Sequence, residues 1–86
     1  MKMETFEIRL EGGKANNFIY SKNGKEGLVS IWKHGSSFII TFEECNKGDQ
    51  FNEAGYTRDE RHEFSNLKKA IEFLLENNFS PTEFTH

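Results

Sequence analysis

The chain has 86 residues, of which 35% are apolar, 14% aromatic and 29% charged. Nine Phe and one Trp supply enough ring surface for one small core, which excludes a disordered or low-complexity chain. The formal charge of −3 is uneven: Met1–Glu43 carries six basic and five acidic residues, and Glu44–His86 five basic and nine acidic, so the second half favours a basic partner over nucleic acid or an anionic membrane.

Other limits follow from single residues. Cys45 is the only cysteine, so no disulfide closes within the chain, and a reducing, cytoplasmic compartment is expected. Met1-Lys2-Met3-Glu4 is polar where a secretory leader would be apolar. No run approaches the ~18 apolar residues of a membrane span, so no membrane partner is expected. Asn78-Phe79-Ser80 has the spacing of a glycosylation acceptor, which without a leader carries no weight.

In chain order, Phe6, Ile8 and Leu10 alternate with Thr5, Glu7, Arg9 and Glu11, which predicts a strand over 5–11. Gly12 to Asn16 reads as a turn. A second strand is expected over 17–22, and Asn23-Gly24 then fits a type I′ hairpin. A third strand spans about 26–34, Gly35-Ser36 fits a type II′ turn, and a fourth strand covers 37–44. Residues 45–55 read as a long polar loop, and 56–64 as a fifth, edge-like strand. Ser65 is the expected N-cap of a helix over about 66–77, with Leu67, Ala70, Ile71 and Leu74 in one stripe. Asn77-Asn78 and Pro81 end it, leaving a loose tail over 80–86, pinned at most by Phe79 or Phe84. The fold class is a single α+β domain: an antiparallel four- to five-stranded meander with one C-terminal helix packed on one face.

The two hairpin turns fix the register, and with it the two faces. Phe18, Val29, Ile31, Phe38, Ile40 and Phe42 form a core face, joined by Phe6, Ile8 and Leu10. Ile19, Leu28, Ser30, Trp32, Ile39 and Thr41, fringed by Glu43, form the other, with Glu7 and Glu11 pointing the same way. One helix covers one face. The second face is covered by the Phe79–Phe84 tail or the loop around Phe51, is curled partly inward, or meets a partner or a second copy of the chain.

No catalytic, metal or nucleotide motif stands out, and no cofactor is expected. His34, His62 and His86 are scattered and lack zinc spacing. A Cys45–His62 nucleophile and base pair would need a third residue that is not recognisable. Glu43-Glu44 and Asp59-Glu60 read as surface carboxylates, and Gly12-Gly13-Lys14 lacks the spacing of a phosphate loop.

These observations point to a non-enzymatic interaction or inhibitor protein of the small bacterial or phage type. Trp32, Ile39, Ile19 and Leu28 would anchor a protein partner. Glu43, Glu44, Asp49 and Glu53 would steer a basic, nucleic-acid-handling one, with Arg58 and Arg61 interrupting the acidic run. The alternative is a single-stranded nucleic-acid-binding module, whose plan of strand meander and C-terminal helix this order of elements resembles. Trp32 and Tyr20 would then stack on bases, with Lys22 and Lys25 on the backbone.

Overall fold

The computed structural model describes residues 1–49 and 55–86. Its elements are α1 (Met3–Glu11), β1 (Asn16–Lys22), β2 (Lys25–His34), β3 (Ser37–Asn46), β4 (Tyr56–Phe64) and α2 (Leu67–Glu76), then a 3₁₀ turn over Pro81–Glu83. The strands form one antiparallel sheet in the order β1-β2-β3-β4. The class is therefore α+β with a meander sheet, but two helices accompany it. None of the described helices is long and apolar enough to cross a membrane.

The correction lies at the start. The segment 5–11 is helical, not a strand. Two periods compete there: alternation groups Phe6, Ile8 and Leu10, while a helix groups Met3, Phe6 and Leu10 at i, i+3 and i+7. The structure takes the second, with Phe6 and Leu10 fully buried and Ile8 62% exposed. The Gly12-Gly13 pair closes that helix. Gly13 has a φ of 80°, its N–H donates to the Leu10 carbonyl at 3.0 Å, and the Lys14 N–H donates to the Arg9 carbonyl at 2.9 Å. That bond pair is a Schellman stop, which needs a residue free to adopt positive φ. A helix of nine residues is marginal alone, and Asn16 ties it down. This fully buried side chain donates to the Phe6 carbonyl at 3.0 Å and accepts from Arg9 Nε at 2.8 Å, while the Arg9 guanidinium also donates to the Ala15 carbonyl.

Both hairpins follow their turn residues. Asn23 and Gly24 have φ of 53° and 76°, as a type I′ turn requires, and Gly35 has 62° at the first central position of the second turn. The resulting pairs are the expected ones: Phe18 faces Val29, Ile19 faces Leu28, Trp32 faces Ile39 and Val29 faces Phe42. Beyond them, β3 continues two residues past Glu44, and β4 pairs with β3.

α2 starts one residue later than Ser65 suggests. Asn66 is the N-cap, its Oδ1 accepting from the Lys69 N–H at 2.9 Å. The helix ends in a second Schellman stop, with Asn78 at φ 66° and the Phe79 N–H on the Leu74 carbonyl at 2.9 Å.

The tail is not loose. Phe84 is fully buried, and Thr85 exchanges two 2.7 Å backbone bonds with Asn17 on the outer edge of β1. Both helices and the tail deliver Phe6, Leu10, Ala70, Leu74 and Phe84 to the same core, against Val29, Ile31, Phe38, Ile40 and Phe42. Aromatic contacts knit it together: Phe84 meets Phe6 at 5.6 Å and Phe18 at 5.7 Å, and Phe42 meets Phe73 at 5.6 Å and Phe79 at 5.4 Å between ring centres.

Candidate functional site: the open face of the sheet

Phe79 and Phe84 both pack on the core face, so the tail does not cover the face that carries Trp32. Phe51 and Glu53 lie outside the described residues. Moving the first segment into a helix also takes Glu7 and Glu11 off this face; Glu11 instead pairs with Lys33 at 2.9 Å. Among the described residues, no helix lies against the Trp32 side.

The register sets out that side as rows running across the strands. Next to the His34–Ser37 pair at the hairpin end is Trp32–Ile39–Glu63, followed by Asn17–Ser30–Thr41–Arg61. Then come Ile19–Leu28–Glu43–Asp59 and finally Ser21–Glu26–Cys45–Tyr56. The four expected anchors are therefore not one patch. A polar row, tightened by a 2.7 Å hydrogen bond from Ser30 to Asn17 Oδ1, separates Trp32 and Ile39 from Ile19 and Leu28. Ile39 is fully buried and offers no contact surface, while Trp32 and Leu28 are half-buried. Ile19 is 76% exposed, the most exposed large apolar side chain of the described residues.

The acidic set divides as well. Glu43 shares the open face with Leu28. Glu44, one residue on, points to the opposite face and is fully engaged there: it accepts from Tyr20 at 2.9 Å and Thr57 at 2.8 Å, with Lys25 Nζ 3.9 Å away. The Thr57 and Tyr20 bonds hold its carboxyl below the usual range, and burial together with the bond to Glu44 pushes the Tyr20 hydroxyl up to about 12. Asp49 is half-buried beyond the end of β3. Glu26, Asp59, Glu63 and Arg61 do lie on the open face, and among the described residues none of them, nor Glu43, makes an ion pair.

The nucleic-acid residues fall on two sides. Tyr20, Lys22 and Lys25 belong to the covered face and Trp32 to the open one, so they make no single stacking platform. Tyr20 and Lys22 instead line an open groove of about 460 Å³ at one end of the covered face, with Phe18, Phe79, Glu44 and Arg58. The Tyr20 ring packs against Gly27, where any Cβ would meet it at 2.0 Å. Arg58 sits 4.0 Å over the Phe42 ring and binds Glu60 and Asn77. Glu60, held low by Arg58 and then His62, completes this network.

No family model, curated protein or solved structure matches this chain. Cys45 and His62 do not form a pair, since Cys45 faces Tyr56 on the open side and His62 faces Ile40 on the covered one. The neighbourhood of Cys45 is nevertheless the feature that sequence reasoning missed. Glu26, Leu28, Glu43, Cys45 and Tyr56, with the Gly27 backbone, enclose a notch of about 170 Å³ on the open face. Extending the Gly35-Ser36 hairpin register through to Cys45 sets Glu26 opposite it and gives the β2–β3 half of the notch. Thr57, skipped between Tyr56 and Arg58 as a β-bulge, returns Tyr56 to the open side.

Proposed function

We propose that the chain is a small binding protein that docks a basic protein through the open face of its sheet, in the manner of an inhibitor that masks a cationic surface. One observation carries this reading: both helices and the tail pack on the same side, leaving Ile19 exposed beside Leu28 in a field of four carboxylates and one guanidinium. Such a face repels its own copy and attracts a cationic surface, which sets partner choice and association rate. The anchor is Ile19 and Leu28, with Trp32 as a second contact about 13 Å along β2. Glu26, Glu43 and Asp59 do the steering. The unpaired Cys45 suits the reducing cytoplasm.

The test is selection of a random peptide library on the immobilised chain. Enriched peptides should combine basic and apolar residues, and Ile19→Glu should weaken them at least tenfold without unfolding the protein. Peptides that bind Ile19→Glu and Trp32→Ala as well as wild type would end this reading. The groove at Tyr20 favours a second one, a single-stranded nucleic acid on Tyr20, Lys22 and Arg58 without Trp32. Binding of oligo-deoxythymidine that falls steeply with salt and vanishes in Tyr20→Ala would select it.

A further inference from the structure

The notch beside Leu28 has a chemistry of its own. Glu26 faces Cys45 and Leu28 faces Glu43 across β2 and β3, so the two carboxylates stand on one diagonal of a four-residue square and the two apolar groups on the other. Diagonal neighbours of this kind lie about 7–8 Å apart. Tyr56, opposite Cys45 on β4, forms the far wall.

Both carboxylates are half-buried, and among the described residues neither has a cationic partner. A cation seated between two such carboxylates is attracted by both. The negative field is felt by the Cys45 thiol, which burial pushes up first, followed by Glu26, Asp49 and Glu43.

Size and ligand count narrow the occupant. A volume of about 170 Å³ falls below the ~300–1,000 Å³ of pockets that enclose drug-sized ligands, so it fits a single side chain. Two carboxylates beside a buried thiol fall short of the six to eight oxygens that calcium takes. The floor of Leu28, Cys45 and Tyr56 is apolar, which suits a methylene stem with a charged head beyond it.

We infer that the notch seats one lysine or arginine side chain of the partner, its stem on Leu28, Cys45 and Tyr56 and its head between Glu26 and Glu43. This deepens the reading of the open face as a docking surface for a basic protein and rests on it. It also sets a pattern for the partner: a cationic residue in the notch, next to an apolar residue on Ile19.

The experiment is a nuclear magnetic resonance titration of the whole ¹⁵N-labelled chain with N-acetyl-arginine amide and N-acetyl-lysine amide. N-acetyl-citrulline amide and N-acetyl-norleucine amide serve as uncharged controls. The expected result is saturable shifts confined to Glu26–Leu28, Glu43–Cys45 and Tyr56, with a dissociation constant of order millimolar for a lone side chain. The controls should give none, and the Glu26→Gln, Glu43→Gln double variant should weaken binding at least tenfold with its other resonances unmoved. Absence of saturable shifts at these residues, or equal shifts with citrulline or in the double variant, would overturn the assignment. Loss of the amide response while Ile19-dependent peptide binding persists removes the notch alone. An amide response with no Ile19-dependent peptide removes the wider docking surface and keeps the notch.

Discussion

The two sides of the same sheet are built from similar residues and behave differently. On the covered side, Val29 and Phe42 in one row adjoin Ile31 and Ile40 in the next and Phe38 in the third, so apolar groups touch both along and across the strands. On the open side, Leu28 and Trp32 both sit on β2, but Ser30, paired with Thr41 of β3, lies between them. Continuity, more than content, separates a core from a surface. An unbroken apolar field has to be roofed, and here α1, α2 and the tail roof it. An interrupted field can remain in water and keep short apolar stretches for a partner.

That contrast is open to measurement. The largest effect is expected from the roof: Phe84→Ala removes a fully buried ring that touches Phe6 and Phe18, and should cost about 3–5 kcal/mol in chemical denaturation. A cost below 1 kcal/mol would mean that the tail is not part of the core. A smaller effect belongs to the charge network at the end of the covered side. Glu44 and Glu60 both have lowered pKa values in the folded state, through Thr57 and Tyr20 in one case and Arg58 and His62 in the other. Their contribution is present above the ordinary carboxylate value of 4.5 and is lost as pH falls through the lowered folded-state values. Stability should therefore decline on acidification below about pH 4.5. The Glu44→Gln, Glu60→Gln pair should flatten that decline, and an unchanged acid limb would assign it to other groups. The smallest effect is expected at Ile19, where replacement by Thr on the open face should shift stability by no more than about 0.5 kcal/mol. A larger loss would show that this side chain is covered in solution.

Much of this was legible from residue order. Asn23-Gly24 and Gly35-Ser36 impose the positive φ that fixes both hairpins, and the register follows from them with no further information. The polar row through Ser30 and Thr41 was contained in that register; only the lateral order, as opposed to alternation along each strand, reveals it. The first helix reads as a strand because Phe6 and Leu10 satisfy both periods, and because Gly12-Gly13 serves a helix stop as well as a turn between strands. Its choice is made by tertiary partners, above all buried Asn16, which no local pattern signals. The notch was hidden for a related reason: Cys45 and Tyr56 become neighbours only through the bulge at Thr57, and a single skipped residue leaves no mark in the sequence.

Thr85 has a consequence beyond adding stability. A strand at the rim of a sheet presents unpaired peptide groups on which another chain can grow. β4 discourages such growth with Arg58, Asp59, Glu60 and Arg61 in succession. β1 has no comparable run of charge, and its outward peptide groups at Asn17 are occupied by Thr85 instead. Undocking of Phe84 would release that bridge and bare the rim next to Phe18 and Ile19. The tail thus occupies edge peptide groups that an added strand would need.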